Sequence, residues 1–177
     1  MGLGSGASCA ISLNTILTPE QRALYQNSDC IRDLLANART IAIVGLSADR
    51  QKASYFVANY LQREGYRIIP VNPRGGMILG EAVYADLQSI PEKVDVVDVF
   101  RPSSEVPGIV DQAIAIGAKA VWMQLRIINF EAAERARAAG LSVVMDKCIK
   151  MEHGRYSGSL HWAGMNTEII TARRATR

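Results

Sequence analysis

The residues with most chemistry to offer lie between Ile41 and Tyr55. An apolar run, Ile41-Ala42-Ile43-Val44, leads into Gly45. Leu46 and Ser47 follow, then Arg50, Lys52 and Ser54. The run reads as a strand buried on both faces, as in a parallel sheet. Gly45 lets the chain turn sharply. Ser54 is the expected N-cap, and the pattern becomes helical from Tyr55. A strand, a tight turn and a helix start aim free backbone N–H groups at one point, which suits an anion, commonly a phosphate. A helix terminus contributes about 0.3–1 kcal/mol towards an exposed anion, and each charged hydrogen bond about 1.5–3 kcal/mol. On the plainer reading, Arg50 and Lys52 are solvated loop charges.

A second group stands after the next strand: Asn72, Pro73 and Arg74. NAD-binding folds place Asp or Glu there for the ribose hydroxyls. A cation instead suits a ribose phosphate, which NADP and coenzyme A both carry. A polar turn built on Pro73 and Gly75 is the alternative. Familiar fingerprints are missing. Gly45 supplies only the first glycine of G-x-G-x-x-G, and Arg50 stands where a Walker loop needs its second glycine. No tyrosine is followed four residues on by lysine, and no G-x-S-x-G elbow exists. His153 and His161 lie late, without metal-ligand spacing, so no metal is expected. Cys148 is the one candidate reactive thiol. Lys147 and Lys150 stand near it in sequence, and cations lower a thiol's pKa. A small half-buried cysteine is the bland reading.

The elements that must hold these groups follow from punctuation and periodicity. Thr18-Pro19-Glu20-Gln21 starts a helix that runs to about Ala36, with a break near Asn27-Ser28-Asp29. Leu24, Ile31, Leu34 and Leu35 are its expected core face. Strands are expected at 40–45, 66–71, 94–100, 118–123 and 141–145. Helices are expected at 54–64, 104–116 and 130–139, each stopped by a glycine: Gly65, Gly117 or Gly140. Phe56, Val57, Tyr60 and Leu61 should form the inner face of the first crossover helix. Pro70 should lie at its strand's end or at a bulge. Residues 86–90 read as one short helical turn. Asp95 belongs near the start of its strand and Asp98 near the finish. Trp122 is either core or a wall of the cleft. Alternating strands and helices give an α/β fold: a doubly wound, Rossmann-like parallel sheet of about five strands, flanked by helices in three layers. Ligands in such sheets sit beyond the carboxyl ends of the strands. That rule gathers the loops 45–54, 72–76, 100–104, 124–129 and 146–148. Residues 1–17 read as a flexible extension, 18–155 as the folded domain and 156–177 as a tail without periodicity.

Composition narrows the function. The chain has 177 residues, 49% of them hydrophobic, and a formal net charge of +3. Arg173, Arg174 and Arg177 lie together at the end, so the body is near neutral and no nucleic-acid surface is implied. No apolar run reaches the ~20 residues a membrane span needs. The N-terminal stretch lacks the pattern of a secretory signal. Cys9, Cys30 and Cys148 are odd in number and widely spaced, which fits a reducing cytoplasm rather than a disulfide framework. Monomer and homodimer both remain open.

Several segments together carry a resemblance. They are Ile43-Val44-Gly45-Leu46-Ser47, Gly65-Tyr66-Arg67-Ile68-Ile69-Pro70-Val71-Asn72-Pro73, Val94-Asp95-Val96-Val97-Asp98-Val99-Phe100-Arg101, Ala120-Val121-Trp122-Met123-Gln124-Leu125 and Val143-Val144-Met145-Asp146-Lys147-Cys148. Over about residues 18–155 the chain resembles the small coenzyme A-binding proteins of the YccU type. These are similar to the N-terminal domain of the succinyl-coenzyme A synthetase alpha subunit. The resemblance implies a coenzyme A or acyl-coenzyme A ligand. By that likeness Gly45, Leu46, Ser47, Arg50, Lys52 and Ser54 would line the pyrophosphate. Asn72, Pro73 and Arg74 would meet the adenosine part. Phe100, Arg101 and Pro102 would flank the adenine or the pantetheine arm, and Gln124 would sit in the central cleft. The family commonly has Gly where this chain has Arg126, which would narrow the thiol end of the cleft or add a contact. The expected function is a binding module without a complete catalytic set, with a regulatory or thiol-redox role through Cys148. The alternatives are an NADP-dependent oxidoreductase and an interaction protein with an empty cleft.

Overall fold

A computed structural model describes residues 16–156. The chain first forms two helices, α1 (Pro19–Tyr25) and α2 (Ser28–Asn37). Thr18 and Gln21 make the capping box of α1. Asn27 caps α2 through the N–H of Cys30, which explains the break between them. Five parallel strands follow with their crossovers: β1 (Thr40–Val44), α3 (Ala53–Arg63), β2 (Arg67–Val71), a small hairpin of β3 (Met77–Ile78) and β4 (Glu81–Ala82), then β5 (Val96–Val99), α4 (Val106–Ala115), β6 (Ala120–Met123), α5 (Phe130–Ala138), β7 (Ser142–Val144) and α6 (Ile149–Tyr156).

The sheet order is β2-β1-β5-β6-β7, all parallel. The direction of winding reverses between β1 and β5, so the switch point lies at their carboxyl ends. Side chains alternate across the sheet and build two cores. Ala42, Val97, Val99, Val121 and Val143 face α4 and α5. Ile41, Ile43, Val96, Trp122 and Val144 face α2, α3 and α6. Each large apolar side chain buried in this way contributes about 1.5–3 kcal/mol. The result is the expected three-layered α/β Rossmann-like fold.

Several local expectations need correction. Leu24 is 44% exposed, and its neighbour Tyr25 enters the core instead. Phe56 is 59% exposed and carries the Lys150 ammonium 4.1 Å above its ring. Pro70 lies inside β2, paired with Ile43, and not at an end or bulge. It is tolerated because β2 is an edge strand. The N–H of Arg67 and the carbonyl of Val71 face β1, so position 70 points outward, where its carbonyl accepts from Tyr84. Helix α6 has no counterpart among the expected elements; its polar sequence hides the pattern. Asp95 does sit at the start of its strand, where Oδ2 accepts from the N–H groups of Arg39 and Thr40. Trp122 is core, fully buried, with its indole donating to the Lys147 carbonyl. The readings of an extension and a tail fall, for residues 1–15 and 157–177, outside the described residues. Leu17 packs into the core.

Candidate functional site

Three strands, β2, β1 and β5, finish around a cleft of about 770 Å³ at the β1/β5 switch point; the expected loops 124–129 and 146–148, after β6 and β7, do not line it. Its floor is Val44 and Gly45 at the exit of β1, with Phe100 and Arg101 at the exit of β5. Gly45 is required here. Its φ is +88°, and a Cβ would meet the Phe100 carbonyl oxygen at 2.9 Å and Arg101 Cδ at 2.8 Å. Without a side chain at 45, the first and third loops can touch.

One wall is the start of α3. Lys52 occupies the N-cap position, and no side chain caps the helix. Ser54, expected as the cap, sits inside the helix instead. Its Oγ accepts from the Ser47 N–H at 3.2 Å and pins the loop to the helix. Lys52, Ala53 and Ser54 line the cleft, so the uncapped helix end and a lysine face the same space. Asn72 ties the second loop to the first: its Nδ2 donates to the Leu46 carbonyl at 2.9 Å, and its Oδ1 accepts from Arg74 N–H at 3.0 Å.

Nine of the expected site residues therefore share this cleft: Gly45, Ser47, Lys52, Ser54, Asn72, Pro73, Arg74, Phe100 and Arg101. Five others do not line it. Leu46 is fully buried in the second core. Arg50 and Pro102 are exposed beside the cleft. Gln124 lies beneath, 4% exposed, donating from Nε2 to Asp98 Oδ1 at 2.8 Å. Cys148 packs half-buried against the second core. Burial pushes its thiol up, and the nearby Asp98 adds to the effect, opposite to the lowering its lysine neighbours suggested. Arg126 is outside the lining too. Its φ is +65°, and its N–H donates to Asp146 Oδ1 at 2.7 Å. A left-handed backbone is the physical reason glycine suits that position.

Five lining residues fall outside the expected strands and rim loops: Ala85, Asp86, Glu105, Ile109 and Gln112. Glu105 grips Arg101 with both carboxylate oxygens, at 2.8 and 2.7 Å. The pair raises the guanidinium's pKa and holds the carboxyl below its usual range. Its four-residue spacing was the one available signal. Three bases, Lys52, Arg74 and Arg101, thus meet two acids, Asp86 and Glu105, in a cleft lined by no histidine or cysteine among the described residues.

Behind the floor, Asp98 is fully buried on β5. Burial pushes its carboxyl up to about 8, and Oδ2 has no hydrogen-bond partner among the described residues. Among those same residues, no group of three His, Cys, Asp or Glu side chains could hold a metal, and no helix is long and apolar enough to cross a membrane.

A family model described as a CoA binding domain matches residues 39–154. The chain belongs to this coenzyme A-binding family. The Bacillus subtilis protein YneT is 37% identical over 123 residues, which cover 70% of this chain and 91% of YneT. The alpha subunit of ADP-forming acetate–CoA ligase I from Pyrococcus furiosus is 32% identical over 95 residues. That match covers half of this chain and 21% of the ligase subunit. Among solved structures, a hypothetical protein from Pyrococcus horikoshii superposes with a TM-score of 0.71 at 38% identity, over 73% of this chain and 91% of the other.

Proposed function

We propose that the chain binds coenzyme A, or an acyl derivative, through its phosphates and adenosine part, as a binding module rather than an enzyme. The observation that carries this reading is the shared wall of the cleft. An uncapped helix start with Lys52 lies on one side, and Arg74 lies beyond β2 on the other, at the switch point of a coenzyme A-family fold. Lys52 and the α3 amides face the pyrophosphate. Arg74 faces the ribose phosphate. Phe100 and Pro73 supply apolar wall. The cleft offers no thiol or imidazole from the described residues, and the half-buried Cys148 lies off it, so a carrier or regulatory role fits better than thiol-redox chemistry.

Native mass spectrometry of freshly purified protein should show a bound coenzyme. Calorimetry should then give tighter binding for coenzyme A than for NADP. Lys52→Ala should weaken coenzyme A binding about tenfold or more, the loss of one charged hydrogen bond, and flatten the salt dependence. Tighter binding of NADP would favour the oxidoreductase reading, to which Arg74 is equally suited. Unchanged affinity in Lys52→Ala would remove the phosphate from this wall.

A further inference from the structure

The far end of the cleft holds two polar side chains that the phosphate site does not use, Asp86 and Gln112. Both are fixed by the backbone beside them. Leu87 N–H donates to Gln112 Oε1 at 3.1 Å. A backbone N–H can only donate, so the amide oxygen must face it and the Nε2 amino group must turn away. Ser89 N–H donates to Asp86 Oδ1 at 2.8 Å, while Ser89 Oγ donates to the Asp86 carbonyl at 2.8 Å. Asp86 Oδ2 and Gln112 Nε2 make no hydrogen bond among the described residues. Asp86 and Leu87 are consecutive, so the fixed acceptor and the fixed donor belong to adjoining parts of the cleft wall. Val71, Pro73, Ala85 and Ile109 supply the surrounding cleft wall, mostly apolar.

We propose that Asp86 and Gln112 read the base of the bound nucleotide and select adenine over guanine. The inference rests on the nucleotide reading above. Adenine presents an amino donor next to a ring-nitrogen acceptor. Asp86 Oδ2 accepts from the amino group, and Gln112 Nε2 donates to N1 on the Watson–Crick edge. Guanine puts a carbonyl oxygen where adenine has its amino group, which sets two acceptors against each other at Asp86. Guanine also carries an N1–H where adenine N1 accepts, so both contacts turn repulsive, acceptor against acceptor at Asp86 and donor against donor at Gln112.

The test is calorimetry of the full chain with ADP, GDP and coenzyme A. ADP should bind about tenfold or more tightly than GDP. Gln112→Glu keeps the oxygen that Leu87 N–H needs and replaces the amino donor with an acceptor. The ADP-to-GDP ratio should fall about tenfold, whatever the added charge does to both ligands alike. Asp86→Asn keeps the acceptor for Ser89 N–H, turns the free oxygen into a donor and should also shift the ratio towards GDP. It serves if the first variant unfolds. Equal binding of ADP and GDP by the unaltered chain overturns the base reading, as does an unchanged ratio in a folded variant. Coenzyme A binding with no base preference sinks this inference alone. Preference for ADP with no coenzyme A binding sinks the coenzyme reading alone. Failure of all three ligands overturns both.

Discussion

Replacing Asp98 with asparagine should make the protein more stable at neutral pH and remove much of its pH dependence. Asp98 is fully buried on the central strand β5. Among the described residues its one side-chain partner is Gln124, and burial pushes its carboxyl up to about 8 from an ordinary value of 3.8. Between those two values the folded chain holds a proton that the unfolded chain has released. Stability therefore falls as pH rises across that window, by about 1.4 kcal/mol per pH unit. From about pH 5 to about pH 7 the loss is about 3 kcal/mol, a large share of the roughly 5–15 kcal/mol typical of a domain. The asparagine side chain has no proton to lose, and its carbonyl oxygen still accepts from Gln124. Urea denaturation of both proteins at several pH values reads the difference. His153 adds a slope of the opposite sign, because burial lowers its pKa and stability then rises with pH towards 6.5. That contribution is common to both proteins and cancels. The two should be close near pH 4 and diverge steadily from there towards pH 8, with Asp98→Asn ahead. A constant gap, or an original chain that grows more stable relative to the variant as pH rises, would refute the argument.

Two further perturbations probe the cleft and its rim. Glu105→Gln releases Arg101 from its two-pronged ion pair and removes an acid from the cleft, so coenzyme A should bind about threefold tighter at low salt, with the gain shrinking at high salt. Weaker binding would mean that Glu105 positions Arg101 for the ligand instead of competing with it. Arg126→Gly relieves a left-handed backbone of about 1–2 kcal/mol against an entropic cost of about 0.5–1 kcal/mol. Its denaturation midpoint should rise slightly; a fall would show that the arginine side chain contributes contacts worth more than the strain.

The fold was readable because its signals are redundant. Each strand is a short apolar run, and Gly65, Gly117 and Gly140 close the helices between them. Helix α6 escaped because Lys150, Glu152, His153 and Arg155 leave little apolar rhythm, although several of these side chains are buried. Phe56 misled because an aromatic residue at helical spacing need not face inward; here it lies outside under a lysine. In the site, Gly45, Lys52 and Arg74 were legible from type and position. Gln124 and Cys148 were misplaced because sequence order gives the rim but not the depth below it. Asp86 and Gln112 could not be found, because they lie far apart in the chain and a backbone hydrogen bond from Leu87 brings them together.

The two margins of the sheet decide how copies of this chain can meet. On one side Pro70 offers no donor, and Tyr84 already occupies the outward carbonyl of that residue. On the other, β7 is three residues long, the Met145 N–H beyond it donates to the Tyr25 carbonyl, and Gln26 takes up the carbonyls of Met145 and Asp146. Neither rim presents the open ladder on which a foreign strand could be templated. Among the described residues, the surfaces left for copies to meet on are those of the helices and loops. The same blunted rims protect a strand-rich centre from growing into fibrils by lateral accretion.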